Sequence, residues 1–129
     1  MVFKRATSAL AGCRIVDTRG TAISIDDGAA VNLRACSIEG AGASGIMSQR
    51  SDLQIDDCRI VGSKDYGIDV RGGTLEVIRS TVTENGARGV WIRNSANGRI
   101  EGCDLRGNRR GAVSPASDCN VVLRDNLEE

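Results

Sequence analysis

The stretch Leu53-Gln54-Ile55-Asp56-Asp57-Cys58-Arg59-Ile60, followed after a polar break by Gly67-Ile68-Asp69-Val70, decides the fold. Apolar and polar residues alternate in two short runs, the period of strands with one buried face. The same frame recurs in both directions. Cys13, Cys36, Cys58, Ser80 and Cys103 hold one slot, at spacings of 23, 22, 22 and 23 residues. A chain repeating at this period winds as a solenoid whose coils pack on their neighbours.

Each coil divides into three short strands. The first carries apolar residues five and three positions before the slot: Val31 and Leu33, Leu53 and Ile55, Leu75 and Val77, Ile100 alone, then Val121 and Leu123. The second holds the slot and the residue two beyond it: Ile15, Ile38, Ile60, Val82, Leu105. The third begins ten residues after the slot, at Ile23, Ile46, Ile68, Val90 and Val113. Ile25, Val70 and Ile92 continue it inward, while Ser48 and Pro115 interrupt it. The turn before the third strand keeps one length; the turn after it varies by a residue, as a solvent-facing turn tolerates. Gly45, Gly67 and Gly89 precede the third strand, with Ala22 and Ala112 in the same slot, which points to a tight corner.

Three strands per turn of about 22 residues is the arithmetic of a parallel β-helix; helical repeats run to about 33 residues. Its crossovers are right-handed, as parallel connections nearly always are. With coils about 4.8 Å apart, five to six of them make a rod of roughly 25–30 Å.

From Leu10 to Leu123 the sequence resembles the right-handed parallel β-helix repeats of the pectate-lyase-like superfamily. The resemblance rests on the period, the Cys-x-Ile strand, the Gly-Ile-x-Val strand, and Asn85 and Asn108 in the constant-length turn. It implies an all-β fold and leaves activity open, since that superfamily holds lyases, polygalacturonases, alginate epimerases, phage tailspikes and non-enzymatic domains. The family's catalytic motifs are missing. Val90-Trp91-Ile92 matches the start of the pectate-lyase Val-Trp-Ile-Asp-His segment, but Arg93 and Asn94 follow it. The chain has no His, so the polygalacturonase set and the epimerase Asp-Pro-His motif are absent too.

Composition narrows function further. Lys+Arg and Asp+Glu number 17 each, so no bulk charge recruits nucleic acid or an anionic membrane. No run approaches the roughly 18 apolar residues of a spanning helix. Without His, and with no C-x-x-C among five Cys, no metal or cofactor is expected. The slot cysteines read as small buried hydrophobes, and unpaired thiols lean towards a reducing, cytoplasmic setting. Cys119 lies outside the ladder, as the most accessible thiol. Leu10-Ala11-Gly12-Cys13 resembles a lipoprotein lipobox, but the preceding Ala6-Thr7-Ser8-Ala9 is too short and polar for a signal core.

Adjacent carboxylates, Asp26-Asp27 and Asp56-Asp57, point to opposite faces of a strand and form no dyad. Outward charges are expected to meet on adjacent rungs: Glu76 with Arg99, Arg34 with Asp56, Glu101 with Arg124. One outward column stands apart, the middle of the third strand: Ser24, Met47, Asp69, Trp91 and Ser114. Arg71 and Arg93 follow this column, and Tyr66 and Arg88 precede it. Aromatics and Arg are favoured anchors of binding surfaces, and Arg suits carboxylates or sulfates on acidic sugars. The alternative for Trp91 is a cover over apolar surface, with Arg93 stacked on it.

The reading is therefore one β-helix domain over 1–129, with 1–9 as a partial cap through Val2 and Phe3, and with the chain open to being a piece of a larger protein. Its function is that of a non-catalytic binding or scaffold module for a polysaccharide or protein. Trp91, Arg93, Arg71, Asp69, Tyr66, Met47 and Arg88 form its candidate face. The competing reading is a lyase, hydrolase or epimerase in which an Arg serves as base or charge neutraliser and Asp69 holds a cation. Unpaired strand edges at both ends add a third expectation, end-to-end association of copies.

Overall fold

The computed structural model describes residues 1–128. Fourteen strands follow one another with no helix among the described residues. They are β1 (Val2–Lys4), β2 (Thr7–Ala11), β3 (Arg14–Val16), β4 (Ile23–Asp26), β5 (Ala30–Arg34), β6 (Ser37–Glu39) and β7 (Ile46–Asp56). Then come β8 (Arg59–Val61), β9 (Ile68–Ile78), β10 (Thr81–Thr83), β11 (Val90–Arg93), β12 (Asn97–Glu101), β13 (Val113–Pro115) and β14 (Asn120–Arg124). Every pairing between them is parallel and joins residues 22 or 23 apart, such as Ile46 with Ile68 and Ile55 with Val77.

Three walls result, each about six rungs deep. The third-strand wall stacks β1, β4, the start of β7, the start of β9, β11 and β13. The first-strand wall stacks β2, β5, the ends of β7 and β9, β12 and β14. The second-strand wall stacks β3, β6, β8 and β10, then continues as single bridges through Asp104 and Leu127. In β7 and β9 two strands expected to be separate run on as one, bent at Arg50 and at Gly72-Gly73, where φ is positive.

The alternating inward residues form one core of stacked aliphatics. Ile23, Ile46, Ile68 and Val90 make one column; Ile38, Ile60, Val82 and Leu105 make another. Burying a Val, Leu or Ile side chain contributes about 1.5–3 kcal/mol each, so these columns supply the cohesion that scarce aromatics cannot. Segment 1–9 extends the ladder as the first rungs, β1 and β2, with Phe3 packed at the end of the core.

Side-chain ladders close the corners. Slot residues accept from the backbone N–H one coil back: Cys36 N donates to Cys58 Sγ at 3.5 Å, and Cys58 N to Ser80 Oγ at 3.0 Å. Asn126 takes the slot in the last coil, its Oδ1 2.9 Å from Cys103 N. All five cysteines are unbridged. In the constant-length turn Asn85 Nδ2 donates to Asn108 Oδ1 at 2.9 Å, and Ser63 N donates to Asn85 Oδ1 at 3.0 Å. The tight corner at Gly67 reflects close approach and not a left-handed φ: a Cβ there would lie 2.7 Å from Gly89 O and 2.5 Å from Val82 Cγ1.

Candidate ligand-binding face

The outward column of the third-strand wall is in the expected register: Ser24, Met47, Asp69, Trp91 and Ser114 are successive partners. Their exposure is not as expected. Trp91 and Met47 are half-buried, and Asp69 is only 3% exposed. The cause is cover by long neighbours. Arg71 and Arg93 stand side by side on adjacent rungs, where two cations alone would repel. Asp69 resolves this by accepting from both, at 3.2 Å from Arg71 Nη2 and 3.3 Å from Arg93 Nη2.

The Arg93 guanidinium lies 3.5 Å above the Trp91 ring centroid. The Tyr66 ring stacks on Trp91 with centroids 4.6 Å apart and planes 26° apart. A guanidinium that close leaves no room for a second ring on the same side, so Tyr66 and Arg93 occupy opposite faces of the indole. Trp91 is thus filled by its own neighbours, with cation–π attraction on one side and ring stacking on the other. The sequence offered two roles for Trp91, a binding anchor or a cover with Arg93 stacked on it; the stacking is present, and Asp69, expected to face outward, is covered by its two arginines. An Asp whose carboxylate is taken up by two guanidiniums has little to offer a cation, which removes that role from the enzymatic reading. Among the described residues no group of three or more His, Cys, Asp or Glu is placed to hold a metal ion.

Tyr66, Asp69, Arg71, Trp91 and Arg93 therefore come together as one unit, bordered by Met47 on the next rung. Arg88 turns away: its Nη1 donates to Arg110 O at 3.1 Å, one coil on. The unit flanks an open cleft of about 460 Å³ lined by Gln49, Arg50, Arg71, Gly72 and Asn94. Gln49, Arg50 and Asn94 escaped the sequence reading. The signal was present, since all three follow the third strand, where Arg71 and Arg93 were picked out. Arg50 is anchored by Asp26 at 3.1 Å and Asp27 at 2.8 Å. That hydrogen bond holds the Asp27 carboxyl below its ordinary range. The Nε atoms of Arg71 and Arg93 are buried with no hydrogen-bond partner.

The expected rung-to-rung charge neighbours are in register, but their ion pairs form elsewhere. Arg99 bonds Glu101 on its own strand, and Asp56 takes Arg79 at 2.7 Å from the following corner. A guanidinium long enough to span a rung selects partners that Cα register does not specify.

Comparison with known proteins agrees with this architecture. No curated protein matches the sequence. The crystal structure of the periplasmic alginate epimerase AlgG superposes with a TM-score of 0.83 at 13% identity, over 98% of this chain and 39% of that one. A single-substitution mutant of that epimerase superposes with a TM-score of 0.68 at 15% identity, over 98% of this chain and 43% of the other. The chain thus spans about two-fifths of the epimerase chains it matches. The likeness is one of fold. A family model described as "Right handed beta helix region" matches residues 21–127, and the chain belongs to that family of right-handed parallel β-helices.

Proposed function

We propose that the chain is a non-catalytic β-helix module that binds an acidic polysaccharide, of the uronate class to which alginate belongs, across the Arg71-lined cleft. The observation that carries this reading is the Asp69 clasp. One buried carboxylate holds two arginines in place beside a cleft lined by guanidinium and amide groups. Held arginines lose less side-chain entropy on meeting a ligand carboxylate, and they favour two-pronged contact. The same clasp occupies the Asp69 carboxylate with two guanidiniums, and the sequence has no His to serve as a base.

Isothermal titration with alginate and with polygalacturonate tests the reading. Arg71→Ala is expected to weaken binding about tenfold, equivalent to about 1.4 kcal/mol, while Arg34→Ala on another wall leaves it unchanged. Equal affinity in the two variants sinks the site. The fold likeness to an alginate epimerase favours one second reading, catalysis on the same polymer. Inversion or cleavage of uronate residues by the purified chain, followed by NMR of the polymer, would establish it in place of the first.

A further inference from the structure

Resting on the reading that the Arg71-lined cleft takes uronates, we infer that Gly72 determines what enters it. The side chain that Gly72 lacks is the space for one carboxylated sugar ring, between Arg50 and Asn94. The third-strand wall ends in a corner. Lys4, Asp26, Gln49, Arg71 and Arg93 hold one position on its successive rungs, and the residues after them form a column: Arg5, Asp27, Arg50, Gly72 and Asn94. All five take positive φ, at 53°, 58°, 49°, 74° and 60°. Four of them carry a side chain in that conformation, so the corner does not demand glycine. Packing does not demand it either. A Cβ on Gly72 would lie 3.5 Å from Asn94 O and 3.7 Å from Arg50 Cγ, which are ordinary contacts. Gly73 is the contrast, since a Cβ there would run into the Ser51 carbonyl oxygen.

What Gly72 supplies is the open cleft itself, a notch in an otherwise filled column of corner side chains. Arg50 and Asn94 stand one rung to either side of it. Their backbones are therefore about 9.6 Å apart, twice the rung spacing of about 4.8 Å. Less the thickness of two side chains, that gap admits one pyranose ring and no second ring beside it. The lining fits a ring that brings its own acid. Gln49, Arg50, Arg71 and Asn94 offer guanidinium and amide groups, with no carboxylate among them. The carboxylates close by, Asp26, Asp27 and Asp69, are engaged with Arg50, Arg71 and Arg93. A ring carboxylate on Arg71 and ring hydroxyls on the two amides each meet a matching partner. A side chain at position 72 takes that room, and the loss falls on the ligand and not on the fold.

Isothermal titration with alginate and polygalacturonate, run beside thermal melts, tests this. Gly72→Asn gives the corner the residue that Asn94 already carries one rung away at positive φ. Its melt is expected to match that of the parent chain, while affinity falls about tenfold. Gly102→Asn is the control. Gly102 has a φ of 65° and its Cβ would lie 3.9 Å from Arg79 Cγ, but it borders a different corner. That variant is expected to keep both melt and affinity. If Arg71→Ala weakens binding and Gly72→Asn does not, the notch is wrong and the uronate site stands. If neither substitution matters, or the parent chain binds neither polymer, both fall. A Gly72→Asn chain that does not fold also overturns the inference, because the glycine would then be structural, and so does equal loss of affinity in Gly102→Asn.

Discussion

Asp69 shows how one side chain can set the character of a wall. Its carboxylate is 3% exposed and lies between Arg71 and Arg93, whose side chains are 37% and 25% exposed. Removing one partner of a buried pair costs about 3–5 kcal/mol when the remaining charge is stranded. Both arginines keep some access to water, so Asp69→Ala is expected to cost less, about 2–3 kcal/mol, read as a shift of the urea midpoint at constant slope. It should also release Arg93 from Trp91, which changes the indole fluorescence. Ser48 is the opposite case. It sits in the inward column between Ile25 and Val70, fully buried, with its hydroxyl unbonded. Ser48→Ala removes an orphaned polar group and is expected to stabilise by about 1 kcal/mol. A loss of stability would mean that the hydroxyl has a partner on the protein or in solvent.

At the level of the strand and corner, the repeat fixes what each slot must do. The Cys slot asks for a small side chain that accepts from one backbone and donates to another; Ser80 and Asn126 meet the first demand as Cys58 does, and Cys36 and Cys103 meet the second. Burial pushes the Cys58 thiol from its ordinary 9.0 up to about 11. The folded chain keeps that proton where the unfolded chain releases it, so this contribution is present below pH 9 and lost as pH rises towards 11. The loss is about 2–3 kcal/mol, and Cys58→Ser should flatten that part of the stability profile. Gly67→Ala forces a Cβ to 2.7 Å from the Gly89 carbonyl oxygen and is expected to cost about 2–3 kcal/mol. Gly20→Ala meets nothing within 4 Å and serves as the control in the same thermal melts. The slot, the inward columns and the register were all legible in the sequence, because a period of 22 to 23 leaves one alignment that buries every aliphatic column. The corners were less so. Arg5, Asp17, Ala35, Asp57, Arg79 and Glu84 take positive φ, a conformation more readily signalled by Gly or Asn. The Asp69 clasp was illegible for another reason: outward slots fix where a Cα stands, not which neighbour a guanidinium reaches.

For the whole rod, cohesion between coils implies a gradient of stability along its axis. A solenoid is close to one-dimensional, and each coil is held by its own packing and by the interfaces with its two neighbours. The middle coils, with β7 to β10, have both interfaces and their inward residues are buried throughout. The end strands have one. Every residue of β1 and of β14 retains solvent access, with Leu123 43% exposed. Amide hydrogen exchange at low concentration is therefore expected to be slowest in β8 to β10 and fastest in β1 and β14, with the end strands opening by local fraying and the middle only by global unfolding. Uniform protection along the rod would show that the coils unfold as one unit and that nearest-neighbour cohesion is not limiting.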